Sequence, residues 1–189
     1  MHDACQIRVG IALVLLLVSG TSWANDGWDA FRQPGAIAVM RHALAPGTSD
    51  PPGFTLGDCA TQRNLDQTGR EQARAIGRAI RTLQVDVDRV LTSEWCRCRE
   101  TAELLGLGEV EAFPPLNSFF EDRSTRDVQT RQTRDFLAAL PDDARIVLVT
   151  HQVNMTALTG RFASSGETII IDVAPDGRVE VLGEAAAPF

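Results

Sequence analysis

Residues 145–150 read Arg-Ile-Val-Leu-Val-Thr, with four apolar side chains in unbroken succession. A strand with one wet face alternates apolar and polar residues, whereas an unbroken apolar run is buried on both faces. The segment therefore predicts the central strand of a sheet covered on both sides. Shorter runs of the same kind occur at Ala36–Met40 and Arg89–Thr92. Between them lie segments of helical period. In Asp66–Leu83, Ala73, Ile76, Ala79, Ile80 and Leu83 recur at helical spacing, and Asp66 or Thr68 stands where a cap is needed. A second helix is predicted from Glu94 to Leu105, with Ser93 as its N-cap and Gly106 as its stop. Further helices are expected over Asp127–Leu140 and Val153–Phe162, a short one over Trp28–Arg32, and a short strand over Val110–Phe113. Thr168–Val173 and Arg178–Leu182 read as a closing hairpin turned by Pro175-Asp176-Gly177. Strands alternating with helices predict an α/β sandwich with a mostly parallel sheet and an antiparallel C-terminal edge.

One stretch breaks this rhythm. Residues 44–63 hold Pro46, Gly47, Pro51, Pro52, Gly53 and Gly57, which predicts a loop long enough to be functional.

The N-terminus has the pattern of an export signal. Arg8 precedes an apolar run from Val9 to Val18, and Ser22 and Ala24 put small residues at the −3 and −1 positions of a cleavage site. The run is too short to span a bilayer, which takes roughly 20 residues. Residues 1–24 are thus expected to be removed and residues 25–189 to form one domain, exported and periplasmic in location. Cleavage would leave Cys59, Cys96 and Cys98, enough for one disulfide and one thiol.

The chain carries a net charge of −7, which speaks against nonspecific nucleic-acid binding. Its 18 basic side chains are all arginine. Any anion site must therefore rest on arginine, histidine or backbone N–H groups, and the planar guanidinium suits phosphate because it donates two hydrogen bonds at once.

In an open parallel sheet, ligands bind beyond the carboxyl ends of the strands. The first strand runs into Arg41-His42, the second into Thr92-Ser93 with Arg97 a turn later, and the apolar strand into Thr150-His151. His42 and His151 are the only histidines after the leader. Either alone reads as a hydrogen-bonded residue at a strand end. Together with Arg41 and Arg97, they read as a site.

These segments resemble the histidine phosphatase superfamily, which includes the phosphoglycerate mutases. Arg41-His42 after an apolar strand is similar to the family's Arg-His-Gly. Leu65-Asp66-Gln67-Thr68-Gly69-Arg70-Glu71-Gln72-Ala73 is similar to its L-T-x-x-G-x-x-Q-A. Thr92 to Ala102 resembles S-P-L-x-R-A-x-Q-T-A, and Val149-Thr150-His151 resembles V-T-H-G. The resemblance implies a three-layer α/β/α sandwich of phosphoglycerate mutase type. It also implies hydrolysis of phosphate monoesters through a phosphohistidine on His42, with no metal and no other cofactor. Arg41, Arg97 and His151 would surround the phosphoryl group, and Gln152 would add a polar contact. The family's proton donor lies in the region of Phe119–Arg123, where Glu121 and Asp122 are both candidates. Asp122 is slightly preferred, on the expectation that Glu121 pairs outward with Arg123. Ser93 and Asn154 are further candidates for hydrogen bonds at the site.

Three positions depart from the pattern. Ala43 replaces the signature glycine and is expected to narrow the pocket, Gln152 replaces a glycine, and Glu94 replaces a proline. Cys98 matches a small buried residue of the family. Cys96 is then expected nearer the surface and paired with Cys59, with Cys59–Cys98 as the competing pairing. The expected substrate is a small or cell-envelope sugar phosphate, since length and layout are similar to exported phosphatases of lipopolysaccharide-core heptose phosphates. Two other classes are weighed: a phosphate-recognition module without turnover, and a thiol-disulfide protein built on Cys96-Arg97-Cys98, whose spacing is not the usual Cys-x-x-Cys.

Overall fold

A computed structural model describes residues 27–187. The export signal read at residues 1–24 lies outside them.

Six strands form one sheet: β1 (Ile37–Arg41), β2 (Arg89–Thr92), β3 (Val110–Ala112), β4 (Ile146–Thr150), β5 (Thr168–Val173) and β6 (Val179–Ala185). Their spatial order is β3-β2-β4-β1-β5-β6. The first four run parallel, with β4 between β1 and β2. β5 joins β1 antiparallel and β6 joins β5 antiparallel, with a bulge at Ile170/Ile171. This is the predicted antiparallel edge.

Four α-helices cover the sheet: α1 (Gln67–Thr82), α2 (Cys96–Leu105), α3 (Arg126–Ala138) and α4 (Gln152–Thr159). Among the described helices none is long and apolar enough to cross a membrane. Alternate residues of each strand serve opposite faces. On one face Ala38, Met40, Val90, Val147 and Val149 pack with Ile76 and Ile80 of α1 and Ala102 and Leu105 of α2. On the other, Ile37, Val39, Leu91, Ile146 and Leu148 pack with Leu137 of α3 and Met155 and Leu158 of α4. Every residue of β4 is buried, as its unbroken apolar run requires.

Asp66 is the cap of α1, its carboxylate accepting from Gly69 N–H at 2.7 Å. The predicted start of α2 is corrected. Trp95 holds the N-cap position, and the helix begins two residues later than expected. The Ser93 hydroxyl accepts only a long bond from Trp95 N–H (3.3 Å) and makes its closer contact with His151. α4 likewise ends earlier than expected, at Gly160 in the left-handed conformation.

The Cys59–Cys96 disulfide is formed, with Cα atoms 5.6 Å apart. Cys98 is the remaining thiol and is buried. Cys96, expected near the surface, is buried too at 6% exposure, because the loop it holds lies over it. Its bond to Cys59 leaves no Cys96–Cys98 redox pair. The bond joins residues 37 positions apart in the sequence. In the chain-entropy account such a closure stabilises by about 3–4 kcal/mol. Reduction, or the Cys59→Ser/Cys96→Ser pair, is expected to lower the thermal midpoint by roughly 10 °C. A scan with and without reductant checks this; an unchanged midpoint would contradict it.

Candidate active site

β1, β4 and β2 end side by side, and the register places Arg41 opposite Thr150 and Thr92 opposite Val149. The ladder extends one step past the strands, with His42 N–H bonded to Thr150 O (2.9 Å) and Ser93 N–H to Val149 O (3.1 Å). His42, Ser93 and His151 are thereby fixed at one rim. The two imidazole centroids lie 5.6 Å apart, nearly edge to face. Both open onto a cavity of about 500 Å³ that Arg41, Arg63, Arg97, Asp50, Trp95, Glu121 and Asp122 also line.

His42 is 2% exposed. Its Nδ1 sits 2.8 Å from Ala43 O, which can only accept, so Nδ1 carries the proton. Nε2 is then an unprotonated acceptor, and Arg97 Nε–H approaches it at 3.3 Å. Around His151 the polarity is reversed. Arg97 Nη2 can only donate, and it faces Nδ1 at 3.5 Å, while Nε2 lies 2.8 Å from Ser93 Oγ. His151 therefore holds its proton on Nε2. One guanidinium thus faces two imidazole lone pairs. Burial above all, and then the Arg97 charge, push both histidines well below the ordinary value of 6.5. Both rings are neutral at neutral pH.

Arg97 is aimed by its other end. Its Nη1 donates to both carboxylate oxygens of Asp50, at 2.8 and 3.1 Å, in a pair that is almost wholly buried. Asp50 also accepts from Arg63 N–H (3.0 Å) and from the Trp95 indole N–H (3.1 Å). Burial raises its pKa, but these bonds outweigh burial and hold it below the ordinary carboxylate value. Arg41 donates to Ala163 O at 3.1 Å, and Arg63 donates to Ala45 O. The Nε–H groups of Arg41 and Arg63 are buried without a partner among the described residues. Burial first, and then repulsion from Arg97, lower the Arg63 pKa to about 10; Arg41 is lowered for the same two reasons. Among the described residues, Asp50 is the one carboxylate paired with any of these three guanidiniums.

Asn117 braces the rim. Its Oδ1 accepts from Ser93 Oγ (3.2 Å) and Glu94 N–H (2.8 Å), and its Nδ2 donates to Glu94 Oε2 (2.7 Å). A proline at position 94 would have no N–H for this bond. Asn154 braces from outside as well, donating to Asn117 O at 2.9 Å.

The geometry gathers His42, His151, Arg41 and Arg97 as expected. The other expected residues are placed as follows. Asp122 spends its carboxylate on the short turn that follows, accepting from Ser124 Oγ (2.6 Å) and Ser124 N–H (3.0 Å), and these bonds lower its pKa. Glu121 forms no ion pair with Arg123 and has no side-chain partner among the described residues, yet it lines the same cavity. Gln152 lines the same cavity, and its amide Nε2 donates along its own helix to Thr156 Oγ1 at 2.8 Å. The Ala43 methyl packs with Ala45, Leu65 and Ala73, away from the cavity that it was expected to narrow.

Arg63, Asp50 and Asn117 were not singled out by the sequence reading. The loop's length was the available signal for the first two. Replacing Asp50 with asparagine keeps an oxygen acceptor for Arg63 N–H but removes the only carboxylate on Arg97. Inorganic phosphate is then expected to bind about tenfold more tightly, since one opposing charge beside the anion site is gone. Competitive inhibition by phosphate measures this, and weaker inhibition would contradict it.

A family model, the Histidine phosphatase superfamily (branch 1), matches residues 37–119. No curated protein matches the chain by sequence. Among solved structures, the protein histidine phosphatase SixA complexed with tungstate superposes with a TM-score of 0.62 at 16% identity, covering 80% of this chain and 97% of that one. The mycobacterial glucosyl-3-phosphoglycerate phosphatase Rv2419c complexed with VO3 gives 0.58 at 15%, covering 77% and 96%. YhfR of Bacillus stearothermophilus gives 0.58 at 14%, covering 78% and 95%. At such identities the likeness is one of fold.

Proposed function

We propose that this chain, a member of the histidine phosphatase superfamily, hydrolyses phosphate monoesters through a phosphohistidine on His42. The observation that carries the reading is the resting state of His42: neutral, with its free Nε2 turned toward Arg97 in a cavity lined by three guanidiniums. A phosphoryl group in transfer spreads negative charge over three oxygens, so fixed cations and positioning supply most of the catalysis.

In the proposed sequence Nε2 attacks phosphorus, the P–O bond to the alcohol breaks, and the leaving oxygen takes a proton from Glu121. Water then gives a proton to the Glu121 carboxylate and attacks the phosphohistidine, the P–N bond breaks to free Nε2, and inorganic phosphate leaves. Arg41, Arg63 and Arg97, which line the cavity together, hold the phosphoryl oxygens. Ser93 and Asn117 keep His151 in the tautomer that turns Nδ1 inward. The arginines supply the charge, and the scheme routes no step through a metal.

The two similar structures that hold tungstate and VO3, both oxyanions, support phosphate as the group recognised here. The substrate proposed is a small phosphate monoester, with cell-envelope sugar phosphates among the class. Export to the periplasm is proposed as well; the Cys59–Cys96 bond supports it, because disulfides persist in oxidising compartments.

The purified protein is expected to release phosphate from an aryl phosphate. Binding of phosphate without release would favour a recognition module instead. With an alkyl ester, whose leaving group needs a proton, Glu121→Gln is expected to slow turnover about 100-fold. Asp122→Asn should change it less than about threefold, since its carboxylate is bound to Ser124. The reverse ranking would move the proton donor to Asp122.

A further inference from the structure

The cavity changes character away from the arginines. Three separate loops each bring a phenylalanine to it: Phe54 from the 44–63 loop, Phe120 from the loop before α3, and Phe162 from the loop after α4. Phe120 is 50% exposed and Phe162 is 68% exposed. The other exposed large apolar side chains of the described residues, Leu56 and Val128, are less exposed than either. A single exposed phenylalanine has no special meaning. Three that line one cavity from separate loops, together with Trp95 and Val153, give it apolar surface. Phe54 and Trp95 are already in contact, with ring centroids 5.8 Å apart, and Trp95 in turn meets the His151 ring at 5.3 Å. Aromatic surface therefore runs from the phosphate cradle outward.

The charges around this surface point the same way. Among the described residues, Arg41, Arg63 and Arg97 are the only arginines lining the cavity, and the carboxylates there are Asp50, Glu121 and Asp122. Nothing remains to pair with a second anionic group on a substrate. A carboxylate or second phosphate on the alcohol part would meet Glu121 and Asp122 instead.

We infer that the preferred substrate is a phosphate monoester of an uncharged alcohol with an apolar, flat face, which stacks on Phe54, Phe120 and Phe162 while the arginines hold its phosphate. This inference rests on the phosphatase reading and narrows it. Within the small phosphate esters, a sugar bearing only hydroxyls ranks below an alcohol with an apolar ring.

Benzyl phosphate and ethyl phosphate test it, because their leaving alcohols have similar acidity and differ chiefly in the apolar ring. Burying a phenyl ring corresponds to at least about tenfold in kcat/KM. Benzyl phosphate is thus expected to exceed ethyl phosphate and glucose 6-phosphate by at least about tenfold, and 3-phosphoglycerate to be the poorest. In Phe120→Ala/Phe162→Ala the benzyl-to-ethyl ratio should fall toward one; in Val128→Ala, an exposed apolar residue away from the cavity, it should hold. A ratio near one in the native protein, a ratio that survives the double substitution, or glucose 6-phosphate as the best of the set would overturn the inference. Each of those outcomes leaves the phosphatase reading intact. Absence of turnover with every ester would instead strike the reading on which it rests.

Discussion

His42→Ala is expected to lower kcat on an aryl phosphate by at least about four orders of magnitude, with the fold unchanged. The scale follows from the role. In a double displacement, loss of the nucleophile removes the first step, and only the arginine cradle is left to favour attack by water. Alanine retains the backbone bond from position 42 to Thr150 O, which ties the rim together. The substitution therefore separates chemistry from folding, and circular dichroism with a thermal midpoint verifies the second. The pH profile adds a signed test. The pKa of His42 lies well below 6.5 through burial and then the Arg97 charge, so the acid limb of kcat/KM should fall below that value. The same shift bears on stability. His42 and His151 take up protons more readily in the unfolded chain, so the unfolded state binds more protons as the pH drops below 6.5. Stability is then lost on acidification, by at most about 1.4 kcal/mol per pH unit for each ring until the folded-state pKa is reached.

Arg97→Lys is expected to lower kcat about 1000-fold while retaining the charge. The reason is geometric. Arg97 serves four partners from one plane: Nη1 holds Asp50, Nε meets His42 Nε2, and Nη2 meets His151 Nδ1 while Nη1 also lies 3.4 Å from Arg63 O. An ammonium is a point charge at the end of a flexible stem and cannot span those directions at once. Asp50, His42 and His151 would lose their common reference. A conservative replacement that kept activity within a factor of about ten would show that charge suffices and that the fork is not needed. KM is expected to rise less than kcat falls, because the charge that attracts phosphate remains.

The sheet was legible in the sequence because a strand buried on both faces cannot hide its apolar run, and β4, β1 and β2 are such strands. The two histidines were legible for a related reason: polar residues that end a buried strand stand at the rim where a parallel sheet binds ligands. Capping residues were harder to read. Ser93 satisfies every rule for an N-cap, but its hydroxyl is engaged by His151 and Asn117, and the helix starts beyond it. Gln152 follows His151 directly, yet the helical partner four residues on, Thr156, takes its amide. Glu121 and Asp122 are adjacent and chemically alike. What sets them apart is the local turn, in which Ser124 bonds Asp122 and not its neighbour. Asp50 and Arg63 sit in a segment without periodicity. Their pairing with Arg97 depends on a loop path that the disulfide fixes and that no local pattern encodes.

The nucleophile can be caught directly. Brief reaction of the protein with a labelled aryl phosphate, followed by alkaline denaturation and peptide mass spectrometry, is expected to find an acid-labile phosphoryl group on the His42 imidazole and none in His42→Ala. Steady turnover with the phosphoryl group on another side chain, or with no adduct on His42 under conditions that preserve phosphohistidine, would contradict the account.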